Sequence, residues 1–326
     1  MKNHNQEHIE KLQQIIFNTL DPIIDDDYSL LDIPDYNNIG DNLIWEGELD
    51  YLSRLPLKKI YESNCWSFRD KDLPKKGMIL LQGGGNFGDL YPESQNLKIH
   101  LIQKYIDRKI VIFPQSIHYN HIDNFNKDLK IFQLHPNLHI CVRDQESYEL
   151  LIDNGLKNIY LLPDMAFCIN FSKFNIPSIS TDKNLLMKRK DKELNTDSLL
   201  DKIVTDNSNV DVLDWPTFNI SRNIHRIQYR KERYNRILSK KFLNIPLLNR
   251  LVDSRFGLKS RNQKDNYIKQ GIQFLSGYDT IYTTRLHGLI LAILLDKNVT
   301  IIDNKHKKLS RFYTMWLKEF DNVKIY

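Results

Sequence analysis

The chain alternates short apolar runs with longer segments in which apolar residues recur at helical spacing. Five runs in the first half have the length and composition of buried strands: Lys59–Glu62, Met78–Gln82, Lys109–Pro114, His139–Arg143 and Asn158–Leu162. Four helices are predicted around them, at Asp41–Arg54, Glu93–Asp107, Asp123–Leu134 and Gln145–Asn154. Strands that alternate with helices are typical of parallel α/β units.

The same rhythm returns in the second half of the chain. Strands are predicted at Asn184–Lys188, Val210–Trp215, Thr280–Thr283 and Val299–Ile302. Helices are predicted at Thr196–Thr205, Gln263–Ser276, Leu286–Asp296 and Leu309–Glu319. Because residues 171–181 lack the rhythm and 326 residues suit two domains, we interpret the chain as two Rossmann-like α/β domains, residues 1–172 and 173–326, that face each other across a cleft.

Charge is distributed unevenly along the chain. Residues 1–50 carry twelve acidic residues and two lysines, whereas residues 221–270 carry fourteen basic residues and three acidic ones. The basic insertion, residues 221–265, interrupts the α/β rhythm and interleaves apolar with basic residues. It is interpreted either as a solvated helix face or as a peripheral contact with an anionic membrane. Nucleic acid is not expected as a partner.

Other features of the composition indicate the compartment. The polar N-terminus lacks the apolar core of a signal peptide, and no apolar run is long enough to span a bilayer. The three cysteines follow no disulfide or metal-binding pattern. These features predict a cytoplasmic protein, with association at the inner face of the cell membrane if the basic insertion binds lipid.

A glycine cluster follows the predicted strand Met78–Gln82. Residues 83–88 hold four of the twelve glycines, so the backbone there is expected to turn tightly or to let a ligand approach closely. The segment matches G-x-G-x-x-G, but it lacks the Lys-Ser/Thr of a P-loop, and no acidic residue ends the next strand. A dinucleotide site is therefore poorly supported, and a tight turn without a ligand is the alternative.

A second candidate site joins a predicted strand to an apolar helix at Thr283–Gly288. The N-terminus of this helix offers free N–H groups to an anion. Arg285 adds a planar fork suited to carboxylate or phosphate, and His287 exchanges a proton near neutral pH. A purely structural role for His287 is the alternative.

Two further motifs each have a structural and a functional interpretation. Arg189 lies in a charged run after the strand that opens the second half, where it either contacts an anion or belongs to a solvated surface. Asn38 and Asp41 lie at a predicted helix start. Asp41 is interpreted either as the N-cap or, with Asn38, as a ligand of sugar hydroxyls.

Polar residues also end three strands, in Pro114–His118, Val142–Gln145 and Leu162–Phe167. Arg143 and Asp144 are interpreted as an N-terminal cap of the following helix. His118 and His121 lack an evident third ligand, so no metal site is predicted.

The order of these motifs resembles that in the polysaccharide pyruvyl transferases. The resemblance covers roughly residues 36–305 and rests on seven segments, residues 38–41, 83–89, 114–116, 142–144, 163–167, 189–193 and 285–288. It implies a GT-B-like fold and transfer of a pyruvyl group from phosphoenolpyruvate to two hydroxyls of one sugar. The products are a cyclic ketal and phosphate, and phosphoenolpyruvate is a substrate, so no cofactor is expected.

The resemblance also implies roles for individual residues. Arg285 and His287 correspond to the catalytic donor-site pair, and Arg189 and Gly288 are assigned to donor binding with Arg285. We expect the acceptor, a sugar or lipid-linked oligosaccharide, to meet the first domain. The residues assigned to it are Asn38, Asp41, Gly84, Gly85, Asn86 and Asp89.

Two other functions remain open. The first is a GT-B-type nucleotide-sugar glycosyltransferase of exopolysaccharide synthesis, since the same fold hosts that chemistry. The second is a non-catalytic member of an exopolysaccharide assembly complex that docks on membrane through the basic insertion.

Overall fold

The structure, a computed structural model, describes residues 4–177, 182–188, 198–206, 209–218, 263–303 and 308–326, together with scattered residues between 230 and 251. Arg189 and most of the basic insertion lie outside the described residues, so the predictions made for them are not addressed by the fold.

A first parallel sheet is formed by the N-terminal half of the chain. Its strands are β1 (Tyr28–Leu31), β2 (Lys59–Ser63), β3 (Met78–Leu81), β4 (Gly84–Gly88), β5 (Ile110–His118), β6 (Leu138–Val142) and β7 (Ile159–Leu161). The strand order is β2-β1-β3-β5-β6-β7, and β4 pairs with the second half of β5. The chain reverses its direction of winding between β1 and β3, which is where open α/β sheets bind ligands at the strand ends.

A second parallel sheet follows in the C-terminal half. Its strands are β8 (Asn184–Met187), β9 (Val210–Leu213), β10 (Thr280–Thr283), β11 (Asn298–Ile301) and β12 (Val323–Ile325), in the order β12-β11-β10-β8-β9. Here the winding reverses between β8 and β10. A second binding position is therefore expected at the carboxyl ends of these two strands.

The α-helices among the described residues pack on these sheets. They are α1 (His4–Leu20), α2 (Ile39–Leu52), α3 (Pro92–Lys104), α4 (Ile122–Leu134), α5 (Gln145–Asp153), α6 (Ser198–Asp206), α7 (Gln263–Ser276), α8 (Leu286–Leu294) and α9 (Lys308–Trp316). None of the described helices is long and apolar enough to cross a membrane.

Side-chain alternation explains how the first sheet is covered on both faces. In β3, Ile79 and Leu81 belong to one apolar cluster with residues of α3, α4 and α5. Met78 and Leu80 belong to another with residues of α1 and α2. Successive strand residues point to opposite faces, so a four-residue apolar run is buried on both sides.

The core of the second sheet also includes residues from the N-terminal half. Ile9 of α1, Leu43 of α2 and Phe167 lie in the same buried cluster as Leu185 of β8 and Ile281 of β10. The molecule is thus an α/β protein of parallel sheets, consistent with a Rossmann-like, GT-B-like fold. Its division into two domains at residue 172, facing each other across a cleft, stays a prediction.

The predicted strands and helices are confirmed in the described residues, with ends that shift by up to four residues. Not predicted are α1, β1, β4 and β12. A tight turn was one of two alternatives for the glycine cluster, and it is wrong, because Gly84–Gly88 is a strand that continues alongside β5. Close backbone approach is the reason for glycine there: a Cβ on Gly88 would lie 1.8 Å from the His118 carbonyl oxygen, and φ is +115°.

Candidate active site

One cavity of about 1420 Å³ lies at the carboxyl ends of strands from both sheets. From the first sheet it is lined by Asp32 and Ile33 after β1, Gln82 and Gly83 after β3, Gly85 and Asn86 in β4, Ser116–His118 in β5, and Arg143 and Asp144 after β6. From the second sheet it is lined by Thr284, Arg285, Leu286 and His287, which follow β10. The two positions at which the winding reverses therefore open into the same space.

His287, in the first turn of α8, is held by a carboxylate from the first half of the chain. Its Nε2 lies 3.4 Å from Oδ2 of Asp164, which is fully buried and also accepts a 2.5 Å hydrogen bond from Nη1 of Arg143. Burial alone would raise the pKa of Asp164, but the charges of His287 and Arg143 outweigh it and lower the pKa. The result is a buried anion between two basic groups.

Arg143 is a lining residue whose guanidinium is only partly used by the protein. Nε donates to the Ser116 hydroxyl at 2.9 Å, and Nη1 donates to Asp164. Nη2 lies 3.4 Å from the position that a Cβ would take on Gly85, so the missing side chain keeps this edge of the guanidinium open to the cavity. Arg143 was predicted to help cap the next helix, but the cap of α5 is Asp144, which accepts from the Ser147 amide.

Arg285 is fixed by an ion pair within the second half of the chain. Its Nε and Nη2 donate to the two carboxylate oxygens of Asp214 at 2.5 and 2.7 Å, and its guanidinium lies 5.2 Å from the Phe218 ring centre. Such a bidentate pair fixes the plane of the guanidinium as well as its position. Arg285 therefore reaches the cavity as an oriented group rather than a flexible one.

Asp41 lines the cavity from the first turn of α2. The N-cap of this helix is Asn38, whose side chain accepts from the Gly40 amide at 2.9 Å, so the interpretation of Asp41 as the N-cap is wrong. Asn38 Nδ2 donates to Asp41 Oδ2 at 2.7 Å, and the Tyr36 hydroxyl also bonds to Asp41. Burial raises the pKa of Asp41, although His287 and Arg143 partly oppose the shift.

Gly40 brings the N-terminus of α2 against His287. A Cβ on Gly40 would lie 2.6 Å from Nδ1 of His287, closer than Cβ atoms approach other heavy atoms in proteins. The absence of a side chain at this one position lets Asp41 and His287, which come from opposite ends of the sequence, line the same wall of the cavity.

Asn86 of β4 is the centre of a polar network that joins β4 to α3 and to the residue after β1. Its side-chain oxygen accepts from Nζ of Lys98 at 2.8 Å, and its Nδ2 donates to Asp32 at 3.0 Å. Lys98 is fully buried and donates to Asp32 at 2.8 Å, while Ser94 donates to the other oxygen of Asp32. This network fixes β4, the glycine strand Gly84–Gly88, at the cavity wall.

Other predicted site residues lie outside the cavity lining. Gly84 has φ of +119° and lies in β4. Asp89 accepts hydrogen bonds from the backbone or side chains of residues 120, 121 and 124, and Gly288 packs α8 against its sheet, since a Cβ there would lie 2.5 Å from the Met187 sulfur. The structure thus brings together Asn38, Asp41, Gly85, Asn86, Arg285 and His287. Arg189 lies outside the described residues.

Asp32, Lys98, Asp164 and Asp214 were missed as site residues. Asp32 follows a four-residue strand that was not predicted. Its φ of +64° is a left-handed backbone conformation that the sequence alone does not indicate. Asp164 was noted at a strand end, which is the signal that could have identified it. Within the described part of the chain, no group of three or more His, Cys, Asp or Glu side chains is arranged to hold a metal ion.

Comparison with known proteins identifies the family. A family model of polysaccharide pyruvyl transferases matches residues 38–306, most of the chain. The chain belongs to the polysaccharide pyruvyl transferase family, and it is a transferase enzyme. The family implies a polysaccharide acceptor.

Three individual proteins illustrate the similarity. The Bacillus subtilis (strain 168) protein named "Putative pyruvyl transferase EpsO" is 31% identical over 296 residues, which cover 90% of this chain and 86% of that protein. "Pyruvyl transferase 1" of Schizosaccharomyces pombe is 25% identical over 311 residues, covering 89% of this chain and 69% of the relative. A functionally uncharacterised Klebsiella pneumoniae protein of known crystal structure shares the fold, with a TM-score of 0.60 and 20% identity. The match covers 100% of this chain and 99% of that protein.

Proposed function

We propose that this enzyme transfers a pyruvyl group from phosphoenolpyruvate to two hydroxyls of one sugar in an exopolysaccharide or cell-wall glycan precursor. The products are a cyclic pyruvate ketal and phosphate. The observation that carries the proposal is that Arg143, Arg285, His287 and Asp41 line one cavity. Two guanidinium groups suit an anionic donor, and a histidine with a carboxyl group suits proton transfer.

The donor is proposed to lie against the second sheet, between Arg285 and Arg143. Phosphoenolpyruvate carries a phosphate and a carboxylate, and guanidinium groups form charge-assisted hydrogen bonds with both kinds of anion. The N-cap residue of α8 makes no side-chain hydrogen bond to the helix, which leaves the first amides suited to an anion. Arg189 is a further proposed donor contact, by the family resemblance alone.

The chemistry requires a proton on a carbon atom and the loss of phosphate. In the first step His287 gives its proton to the methylene carbon while a hydroxyl oxygen bonds to the adjacent carbon. In the second step the other hydroxyl bonds to that carbon, the carbon–oxygen bond to phosphate breaks, and phosphate leaves. Asp164 holds Nε2 of His287 and balances the charge of the protonated ring.

The acceptor is proposed to lie against the first sheet. The cavity, about 1420 Å³, exceeds the roughly 300–1,000 Å³ of a typical small-ligand pocket, so it has room for donor and sugar together. Asn38, Asp41, Asn86 and the backbone at Gly85 supply amide, carboxyl and peptide groups for sugar hydroxyls. Gly84 and Asp89 are not included, because they do not line the cavity.

A peripheral membrane contact through the basic insertion is a separate proposal. Among its described residues, the side chains of Tyr234, Ile237, Leu247 and Leu251 are at least half exposed. Exposed apolar groups among basic residues suit an anionic membrane surface at the cytoplasmic side, where a lipid-linked acceptor would lie. Flotation with anionic liposomes tests this. Equal flotation with neutral and anionic liposomes, or none with either, would contradict the proposal.

The transfer itself is tested by incubating the protein with phosphoenolpyruvate and a panel of free and lipid-linked galactosides, glucosides and N-acetylhexosaminides. We expect phosphate release together with an acceptor mass gain of one pyruvate less one water. His287→Ala should abolish both, whereas His100→Ala, which removes an exposed histidine outside the cavity lining, should retain them. Consumption of a nucleotide sugar in place of phosphoenolpyruvate would overturn the proposal in favour of a glycosyltransferase.

A further inference from the structure

The carboxyl group of Asp41 lines the cavity from the first turn of α2, beside His287. We propose that Asp41 is the catalytic base that takes the proton from the attacking acceptor hydroxyl, an assignment that rests on the proposed function. The close packing of α2 on His287 at Gly40 places the two groups on one wall. A donor protonated by His287 and a hydroxyl activated by Asp41 would therefore meet without a large movement of either side chain.

The hydrogen bonds of Asp41 fix its orientation without saturating it. Asn38 Nδ2 donates to Oδ2 at 2.7 Å, and the Tyr36 hydroxyl supplies the second contact. A carboxylate has about four lone-pair sites, so two protein donors leave room for a substrate hydroxyl. Because Asp41 and Tyr36 both line the cavity, a bound hydroxyl has access to this capacity.

Electrostatics make Asp41 a stronger base than an exposed aspartate. Burial raises its pKa; His287, Arg143 and the Tyr36 hydroxyl lower it, and Asp164 raises it again, with a net increase. A base is most effective when its pKa approaches the working pH while it remains ionised. The opposing positive charges of His287 and Arg143 keep the ionised form accessible.

Three nearby carboxylates are less suited to the task. Asp164 is fully buried, and its pKa is lowered by the two basic groups beside it despite its burial. Asp32 already accepts hydrogen bonds from three side chains, including that of Lys98. Asp89 lies outside the cavity lining, and hydrogen bonds lower its pKa although burial opposes them.

The proton balance of the proposed reaction assigns one step to Asp41. The first hydroxyl loses its proton to Asp41 as its oxygen bonds to the donor carbon, and the methylene carbon gains a proton from His287. The proton of the second hydroxyl leaves with phosphate. Exchange with solvent then removes the proton from Asp41 and returns one to His287.

The test compares Asp41→Asn with Asp123→Asn, which removes a first-turn carboxylate from α4 outside the cavity lining. We expect Asp41→Asn to lower kcat by about 100-fold or more, to lose the acidic limb of the kcat/KM–pH profile and to retain protection from unfolding by phosphoenolpyruvate. Asp123→Asn should match wild type. An Asp41→Asn enzyme with the wild-type rate and acidic limb would overturn the assignment.

A second variant keeps the assignment testable if Asp41→Asn does not fold. The Tyr36 hydroxyl lowers the pKa of Asp41, so Tyr36→Phe should move the acidic limb to higher pH, and an unmoved limb would contradict the assignment. Failure of the proposed function is distinguishable, because wild type itself would then release no phosphate with any acceptor.

Discussion

At the scale of single residues, Asp164 carries the clearest consequence. It is fully buried between Arg143 and His287. Removing one partner of such a buried pair costs about 3–5 kcal/mol of stability, and here it also frees the ring of His287. We expect Asp164→Asn to lower kcat by about 100-fold or more, because the proton donor is no longer oriented.

The same residue predicts a pH dependence of stability. The pKa of Asp164 is lowered in the fold, so its contribution to stability is fully present above its unfolded pKa of about 3.9 and is lost as the pH falls further. Urea unfolding should therefore show a gap between wild type and Asp164→Asn at pH 7 that narrows below about pH 4. A gap that stays constant to lower pH would contradict this.

For Glu48 we expect the opposite pH dependence, because its contribution to stability is lost as the pH rises. It is fully buried under the glycine strand, where the Gly83 amide donates to Oε1 at 2.8 Å, and burial raises its pKa well above the usual value. Stability from its neutral form is present below its unfolded pKa of about 4.3 and is lost as the pH rises.

The neutral isostere Glu48→Gln should become progressively more stable than wild type above about pH 4.3, by about 1.4 kcal/mol per pH unit up to the folded pKa. Urea unfolding at several pH values measures this. Glu7→Gln, at an exposed acid on α1, is the matched control. A Glu48→Gln effect that does not depend on pH would show that Glu48 is ionised in the fold.

Some site residues were predictable because they lie near glycines and predicted element boundaries in the sequence. Arg285 and His287 lie at a predicted strand-to-helix junction, and Asn38 and Asp41 lie at a predicted helix start, each within three residues of a glycine. Their partners are distant: Asp164 is 123 positions from His287, and the partner of Arg285 is 71 positions away. Such pairs depend on tertiary packing, which no local pattern encodes.

At the scale of elements, the contact between α2 and α8 decides the geometry of the site. A Cβ at Gly40 would lie 2.6 Å from His287 Nδ1. Gly40→Ala should therefore displace the His287 ring and lower kcat at least tenfold while phosphoenolpyruvate still protects the fold. Gly277→Ala, where the nearest atom to a Cβ is 3.6 Å away, is the control and should retain activity. Equal activities in the two variants would contradict a positioning role for this contact.

The elements were predictable where apolar runs are long and bounded. The strand Thr280–Thr283 and the helix Gln263–Ser276 were predicted with the ends observed. Strand β1 was missed because Tyr28–Leu31 is a short run beside acidic residues, and β4 because its composition is that of a turn. What makes Gly84–Gly88 a strand is pairing with β5, a tertiary contact that overrides local preference.

At the scale of the whole molecule, one cavity collects the strand ends at which both sheets reverse their winding. That coincidence follows from topology, so the general place of the site was predictable from the α/β rhythm. Which part of the cavity binds the donor and which part binds the acceptor depends on individual side chains from both halves of the chain.

Ligand binding to this shared cavity should stabilise the entire fold. At 100 times its Kd, phosphoenolpyruvate should raise the free energy of unfolding by about 2.7 kcal/mol. Arg143→Lys keeps the charge but loses the planar fork, so it should need more phosphoenolpyruvate for the same protection. Denaturant unfolding with increasing phosphoenolpyruvate measures this. Identical curves for wild type and Arg143→Lys would contradict a donor contact by Arg143.

In the proposed reaction, a protonated side chain in this cavity delivers a proton to the donor's methylene carbon as the ketal forms. The most direct measurement is transfer carried out in heavy water, with the methyl group of the product observed by NMR. We expect one deuterium in each ketal methyl group and no product with His287→Ala. A ketal whose methyl group carries no deuterium, or undiminished transfer by His287→Ala, would contradict it.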